Sequence, residues 1–171
     1  QRIEKVFISN AYIDKEYAGA FKKLLISIGL DEKKNILCSA LEGCSLELTE
    51  DVEGTLKKEL IEHNIYTIFL LSNNFWDSNF CPAEMGAIWA LSIPHISIYL
   101  PGYVENNKKR RLFEREMAIK LDDDLSFIKE RIKELLNQLE KMFQIHVNRS
   151  TSREKGIDEF LDKIEKLKSV K

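Results

Sequence analysis

The stretch Ile65-Tyr66-Thr67-Ile68-Phe69-Leu70-Leu71 is apolar or a strong strand former at every position. It shows neither the 3.6-residue period of a surface helix nor the alternation of a strand with one wet face. Both of its faces must therefore be covered, as they are in a parallel strand with helices above and below. The run predicts the central strand of a parallel sheet, and the remaining chain has to supply the helices that cover it.

The flanking sequence does so. Val6-Phe7-Ile8-Ser9 reads as a first strand, and Asp14 then opens a helix with Tyr17, Phe21, Leu24, Leu25 and Ile28 at helical spacing, closed by Gly29. Asn35 to Cys38 is a weaker second strand, followed by a polar loop from Ser39 to Leu48. Thr49 is read as the cap of a second helix, with Glu50 and Asp51 in its first turn and Val52, Leu56 and Leu60 on its apolar face; Gly54 weakens that helix without breaking it. After the central strand, Pro82 suits the first position of a helix running through Ala83, Met85, Ala87, Ile88, Ala90 and Leu91. Ile96 to Leu100 is a fourth strand stopped by Pro101-Gly102, and Ala118 to Leu121 a short fifth.

Asp122 to Asp124 place negative charge at the start of the next helix, where the macrodipole favours it. Leu125, Ile128, Ile132, Leu135, Leu139 and Met142 form its seam, too short for a coiled coil and suited to packing on the sheet. Ile157, Phe160, Leu161, Ile164 and Leu167 mark a last amphipathic helix. Strands alternating with helices predict an α/β fold, a doubly wound parallel sheet with helices on both faces. In such sheets ligands gather at the carboxyl ends of the strands. The positions to watch are Ser9, Asn10 and Ala11 after the first strand, the Ser39 to Leu48 loop after the second, and Ser72 to Phe75 after the third.

A chain of 171 residues, 44% hydrophobic and 32% charged, has the composition of one domain with a real core. Its formal charge of -2 gives no global attraction to nucleic acid or to an anionic membrane, and neither is expected as a direct partner. The basic run Lys108 to Arg111 reads first as a solvated turn. Cys38, Cys44 and Cys81 lack metal spacing, and no secretory segment is read ahead of the first strand, so a reducing, cytoplasmic setting is expected. The opening Gln1 reads as the start of an excised domain.

Several chemistries find no support. No glycine follows the first strand, which argues against a nucleotide cradle of the Rossmann or Walker kind. His63, His95 and His146 are far apart and none pairs with a cysteine at ligand spacing, so no metal is expected and each reads as a surface or cap residue. Cys81, at a helix start, could have a lowered pKa, but no base is in view. Glu84 reads physically as a third-position acid offsetting the orphan N–H groups of its helix. Trp76 and Trp89 read as core or half-buried aromatics.

The segment SNNFWDSNFCPAEMGAIWAL, from Ser72 to Leu91, nevertheless carries a pattern. An apolar strand ending in Ser is followed by an aromatic pair and then by Ser-x-x-Cys-x-x-Glu-x-Gly-x-x-Trp. With the early KVFIS strand and a glycine-containing loop before the second helix, the chain resembles the bacterial TIR (Toll/interleukin-1 receptor) domains from about Lys5 to about Phe143. The resemblance implies a flavodoxin-like sheet of five parallel strands over residues 1–147, with 148–171 an added helix or the lead into a further domain.

It also implies an enzyme that cleaves the nicotinamide–ribose bond of NAD+, giving nicotinamide and ADP-ribose or a cyclic isomer, in bacterial antiphage signalling. NAD+ is then substrate, and no cofactor is needed. Glu84 takes the catalytic position, Phe80 stands where several members carry Trp, and Ser9 and Asn10 line the ligand. Phe75 or Trp76 supplies an aromatic wall. The loop holding Gly43, Cys44 and Ser45 gates the site and joins neighbouring TIR domains into a homo-oligomer or filament. A TIR adaptor without activity is the rival from another class; a deoxyribosyltransferase-like enzyme, acting on nucleosides, is a third reading.

Overall fold

The computed structural model describes residues 2–39, 52–104, 118–145 and 150–169. Among them, β1 (Lys5–Ser9), β2 (Ile36–Cys38), β3 (Ile65–Leu71), β4 (His95–Tyr99) and β5 (Ile119–Lys120) pair in parallel in the order β2-β1-β3-β4-β5. This is the flavodoxin-like order, with β3 in the middle. β3 has the predicted bounds and all of its residues are buried. Its register sets Ser9 beside Phe69 and Tyr99 beside Leu71, so the strands end together at one carboxyl edge.

The helices are α1 (Lys15–Ser27), α2 (Val52–Glu62), α3 (Asn73–Asp77), α4 (Cys81–Ala90), α5 (Leu125–Phe143) and α6 (Ser150–Ser169). Strand alternation divides the core in two. Val6, Ile8, Ile68 and Leu70 face α1, α5 and α6, whereas Phe7, Phe69 and Leu71 face Leu56 and Leu60 of α2, Phe75 of α3 and Met85 and Ile88 of α4. Of the α5 seam, Ile128, Ile132, Leu135 and Leu139 are buried on the sheet as expected, while Leu125 at the helix start is largely exposed. α6 packs on α1. Phe160 meets Phe21 edge to face with ring centroids 4.6 Å apart, and Gly156 allows the close approach, since a Cβ there would lie 2.1 Å from Ser27 Oγ.

Four local readings are corrected or completed. α3 is a separate short helix in a stretch read only as positions after the third strand, and Ser72 caps it by accepting the Phe75 N–H at 3.1 Å. α4 begins at Cys81, which makes Pro82 its second residue and Glu84 its fourth. His95 belongs to β4, its ring against Phe69 at 5.5 Å, because the strand starts one residue early. Trp89 is 63% exposed, because α4 is apolar on nearly every side and its pattern does not say which face turns inward. The expected Thr49 cap, Glu50, Asp51, the basic run 108–111, Cys44 and His146 lie outside the described residues. Among the described residues, no helix is long and apolar enough to cross a membrane.

Candidate functional site

Lys5, Phe7 and Ser9 alternate with Val6 and Ile8, so Ser9, the last residue of β1, points toward the α4 side of the sheet. There it meets Glu84. The Ser9 hydroxyl, wholly buried, donates to Glu84 Oε2 at 2.6 Å. The partly buried carboxylate is carried by α4, which the short α3 and the Ser78 turn swing back over the sheet edge; Ser78 Oγ accepts the N–H groups of Phe80 and Cys81 at 3.2 and 3.3 Å.

Burial pushes Glu84 up to about 7, only partly offset by the Ser9 hydrogen bond. An acid that offsets orphan N–H groups in the first turn of a helix is ordinarily held ionised by them. Here the Glu84 N–H is already engaged by the Phe80 carbonyl at 2.9 Å, and desolvation outweighs the helix terminus. A carboxyl that titrates near neutrality in a ligand edge is equipped either to stabilise positive charge or to exchange a proton. Cys81 goes the other way from a nucleophile. Burial raises its thiol to about 11, with a lowering contribution from Ser78 and further raising ones from Glu84 and Asp14.

Asn10 is also buried. Its Nδ2 donates to the Ala11 carbonyl at 2.8 Å, and its backbone exchanges hydrogen bonds with the Ser39 hydroxyl at 3.3 Å, which ties the ends of β1 and β2 together. Asn10 Oδ1 is buried with no donor among the described residues.

The aromatics part company. Phe75 is fully buried beneath Phe69, so it is a core residue and offers no ring to a ligand, contrary to its expected role as a wall. Trp76, next to it, is half-buried and donates its indole N–H to Tyr103 Oη at 2.8 Å. Phe80 is 58% exposed, one helical turn before Glu84 and so on the same side of the helix. Gly43, Cys44 and Ser45 lie outside the described residues.

Sequence reasoning missed Asp14 as part of this edge. Expected only to open α1, it gives no cap hydrogen bond. Its buried carboxylate accepts from Ser72 Oγ at 2.5 Å and from Asn74 Nδ2 at 3.3 Å, which fastens the β1–α1 turn to the start of α3. Ser72 was visible as the first polar residue after β3, but its partner lies 58 positions away. Among the described residues no group of histidine, cysteine and acidic side chains could hold a metal ion. A concavity lined by Asn137, Glu140, Lys141, Gln144 and Ile145 lies at the far end of α5, near the amino edge, where Ile3 N–H bonds the Met142 carbonyl. It is at the opposite end of the strands from Glu84.

No protein-family model matches the chain. It is similar to the uncharacterized protein YddK of Bacillus subtilis (strain 168), 34% identical over a 136-residue alignment that covers 75% of this chain and 48% of that protein. The chain thus spans about half the length of the curated relative it matches.

Proposed function

We propose that this chain is a TIR-type NAD+ glycohydrolase or cyclase with Glu84 as its essential residue, acting in bacterial antiphage signalling. The observation that carries the reading is the Glu84 carboxyl, brought by α4 to the carboxyl edge beside the end of β1 and bonded there to Ser9. The flavodoxin-like strand order puts that edge where open α/β sheets bind ligands.

The chemistry asks little else of the protein. The bond between ribose C1′ and the nicotinamide nitrogen breaks with its electron pair going to nicotinamide, which leaves neutral. The ribose becomes oxocarbenium-like, and an ionised carboxylate against its hydroxyls stabilises that charge, as in glycosidases. Water then adds at C1′ and loses a proton to give ADP-ribose, or a nucleophilic group of the same molecule adds to give a cyclic isomer. Phe80 and Trp76 supply aromatic surface for a base or for nicotinamide. Tyr12 and Ile13, 61% and 76% exposed just after β1, offer an apolar tip for association with further copies.

The test is incubation with NAD+ followed by mass spectrometry of the products, on concentrated or crowded protein. Wild type is expected to release nicotinamide, and Glu84→Gln to lose that activity by about 100-fold or more, the size of effect seen when one preorganised electrostatic group is removed. Absence of nicotinamide with wild type under all these conditions would leave the adaptor reading. Equal turnover by Glu84→Gln would remove Glu84 from its role while keeping the activity.

A further inference from the structure

The hydroxyl that meets Glu84 comes from a strand position where an apolar side chain would be the simpler choice. Ser9 lies in one row with Phe7, facing the same side of the sheet, and is completely buried. Its strand neighbour across β3 is Phe69, and the core on this side continues through Leu71 and Met85. An alanine at position 9 would extend that apolar surface at no cost in volume. The serine instead crosses 75 positions of sequence to spend its one proton on Glu84 Oε2. Among the described residues Glu84 Oε1 has no hydrogen-bond partner, so the contact distinguishes the two oxygens, holding one and leaving the other for a ligand.

The geometry points to Ser9 as the positioning residue of the site: its hydroxyl anchors Oε2 of Glu84 to the end of β1 and presents Oε1 to the substrate's ribose. This rests on the reading of Glu84 as the catalytic carboxylate, and it moves Ser9 from touching substrate to acting through Glu84. A hydroxyl is suited to the task because it donates to the ionised carboxylate and can accept from the protonated acid, so the anchor persists in both states. It also favours the charged form over the neutral one, which makes Ser9 the group that counters burial. The titratable groups around Glu84 are Cys81 in the same helix turn and, beyond it, Asp14 from the turn after β1. Cys81 is neutral across the relevant range, and Asp14 is tied to Ser72 and Asn74. Neither replaces the Ser9 contact.

The experiment is a carbon-13 NMR titration of the Glu84 carboxyl in the whole chain, with the pH profile of NAD+ turnover measured alongside. Wild type is expected to titrate near 7. Ser9→Ala should move the midpoint up by about one pH unit, the effect of losing one hydrogen bond to a charged group. Ser9→Thr, which keeps the hydroxyl, should restore it. The acid limb of kcat should follow, so Ser9→Ala turns over roughly fivefold more slowly at pH 7 and regains most of the difference by about pH 9. If Ser9→Ala does not fold, Ser9→Cys, close in volume and a weaker donor, must shift the midpoint in the same direction.

An unchanged Glu84 midpoint in Ser9→Ala, or failure of Ser9→Thr to restore it, overturns the assignment even if wild type is active. A shifted midpoint in a chain that releases no nicotinamide keeps the Ser9–Glu84 anchor and overturns the catalytic reading alone.

Discussion

The two faces of the sheet are built from the same strands yet end differently. The face under α1, α5 and α6 is apolar from Ile3 to Leu100, and Val6 and Ile8 of β1 both disappear into it. The face under α2, α3 and α4 has the same kind of centre in Phe7 and Phe69, but its β1 row is polar at both ends. Lys5 at the amino end pairs with Glu59 of α2, and Ser9 at the carboxyl end bonds Glu84 of α4. On the first face the β1 row is apolar and buried throughout. The second gives up apolar contact at its rim to hold charged groups, and only the rim at the carboxyl ends lies where α/β sheets take ligands.

The largest expected effect lies on the apolar face. Phe160 is almost fully buried and its ring stands against Phe21, so Phe160→Ala removes an aromatic payload and leaves a cavity between α6 and α1. A loss of about 3 to 5 kcal/mol is expected in urea unfolding. The folded fraction should keep the wild-type Glu84 titration, because no part of this contact reaches the other face. A changed midpoint in folded protein would show that the two faces are coupled and break the comparison.

How much of this was legible in the sequence follows from how local each signal is. Ile65 to Leu71 could be bounded to the residue, because seven apolar or strand-forming positions between Asn64 and Ser72 leave no other register. The α5 seam was equally plain, since a helix of 19 residues repeats its pattern several times. A single turn repeats nothing. Asn73 to Asp77 is a five-residue helix of mostly polar residues, so periodicity could neither find it nor decide that Phe75 turns inward and Trp76 toward Tyr103.

Ser9 was legible as a position after a strand, whereas Glu84 read from its own residues only as a helix-terminus acid and was singled out by the TIR resemblance of the segment around it. The contact between them depends on where α4 lands, and the Asp14–Ser72 contact likewise links segments far apart in the chain. The ionisation of Glu84 was not legible for the same reason. Helix position is a local property, whereas desolvation depends on everything packed around the group.

The polar rim predicts a pH-dependent cost on the second face. Glu84 titrates near 7 in the folded chain and near 4.5 when unfolded, so the native state holds the proton more tightly. That contribution to stability is fully present below about 4.5 and is lost as pH rises toward and past 7. Glu84→Gln, which cannot ionise, should therefore gain on wild type by about 2 to 3 kcal/mol between pH 4.5 and pH 8. Urea unfolding of both proteins at the two pH values measures it. A difference that does not grow with pH would mean that the carboxylate is better solvated than its burial implies, and the rim would then differ less from an ordinary surface.

The smallest effect tests how far the polar rim extends along the edge. Tyr103, just past β4, accepts the Trp76 indole N–H and packs edge to face on Tyr99 at 5.1 Å. Tyr103→Phe keeps the ring contact and removes the oxygen, so the half-buried indole N–H loses one partner at a cost of about 1 kcal/mol. Because Trp89 is largely exposed and would mask the signal, the comparison belongs in a Trp89→Phe background, where the remaining tryptophan emission reports Trp76. A spectral shift together with a few-fold rise in KM for NAD+ and little change in kcat would place Trp76 among the groups that bind without entering the chemistry, roughly as uniform binding predicts. A spectral shift with KM unchanged would confine the ligand to the Ser9 and Glu84 end of the edge. Trp76 would then belong to the core of the second face, beside Phe75.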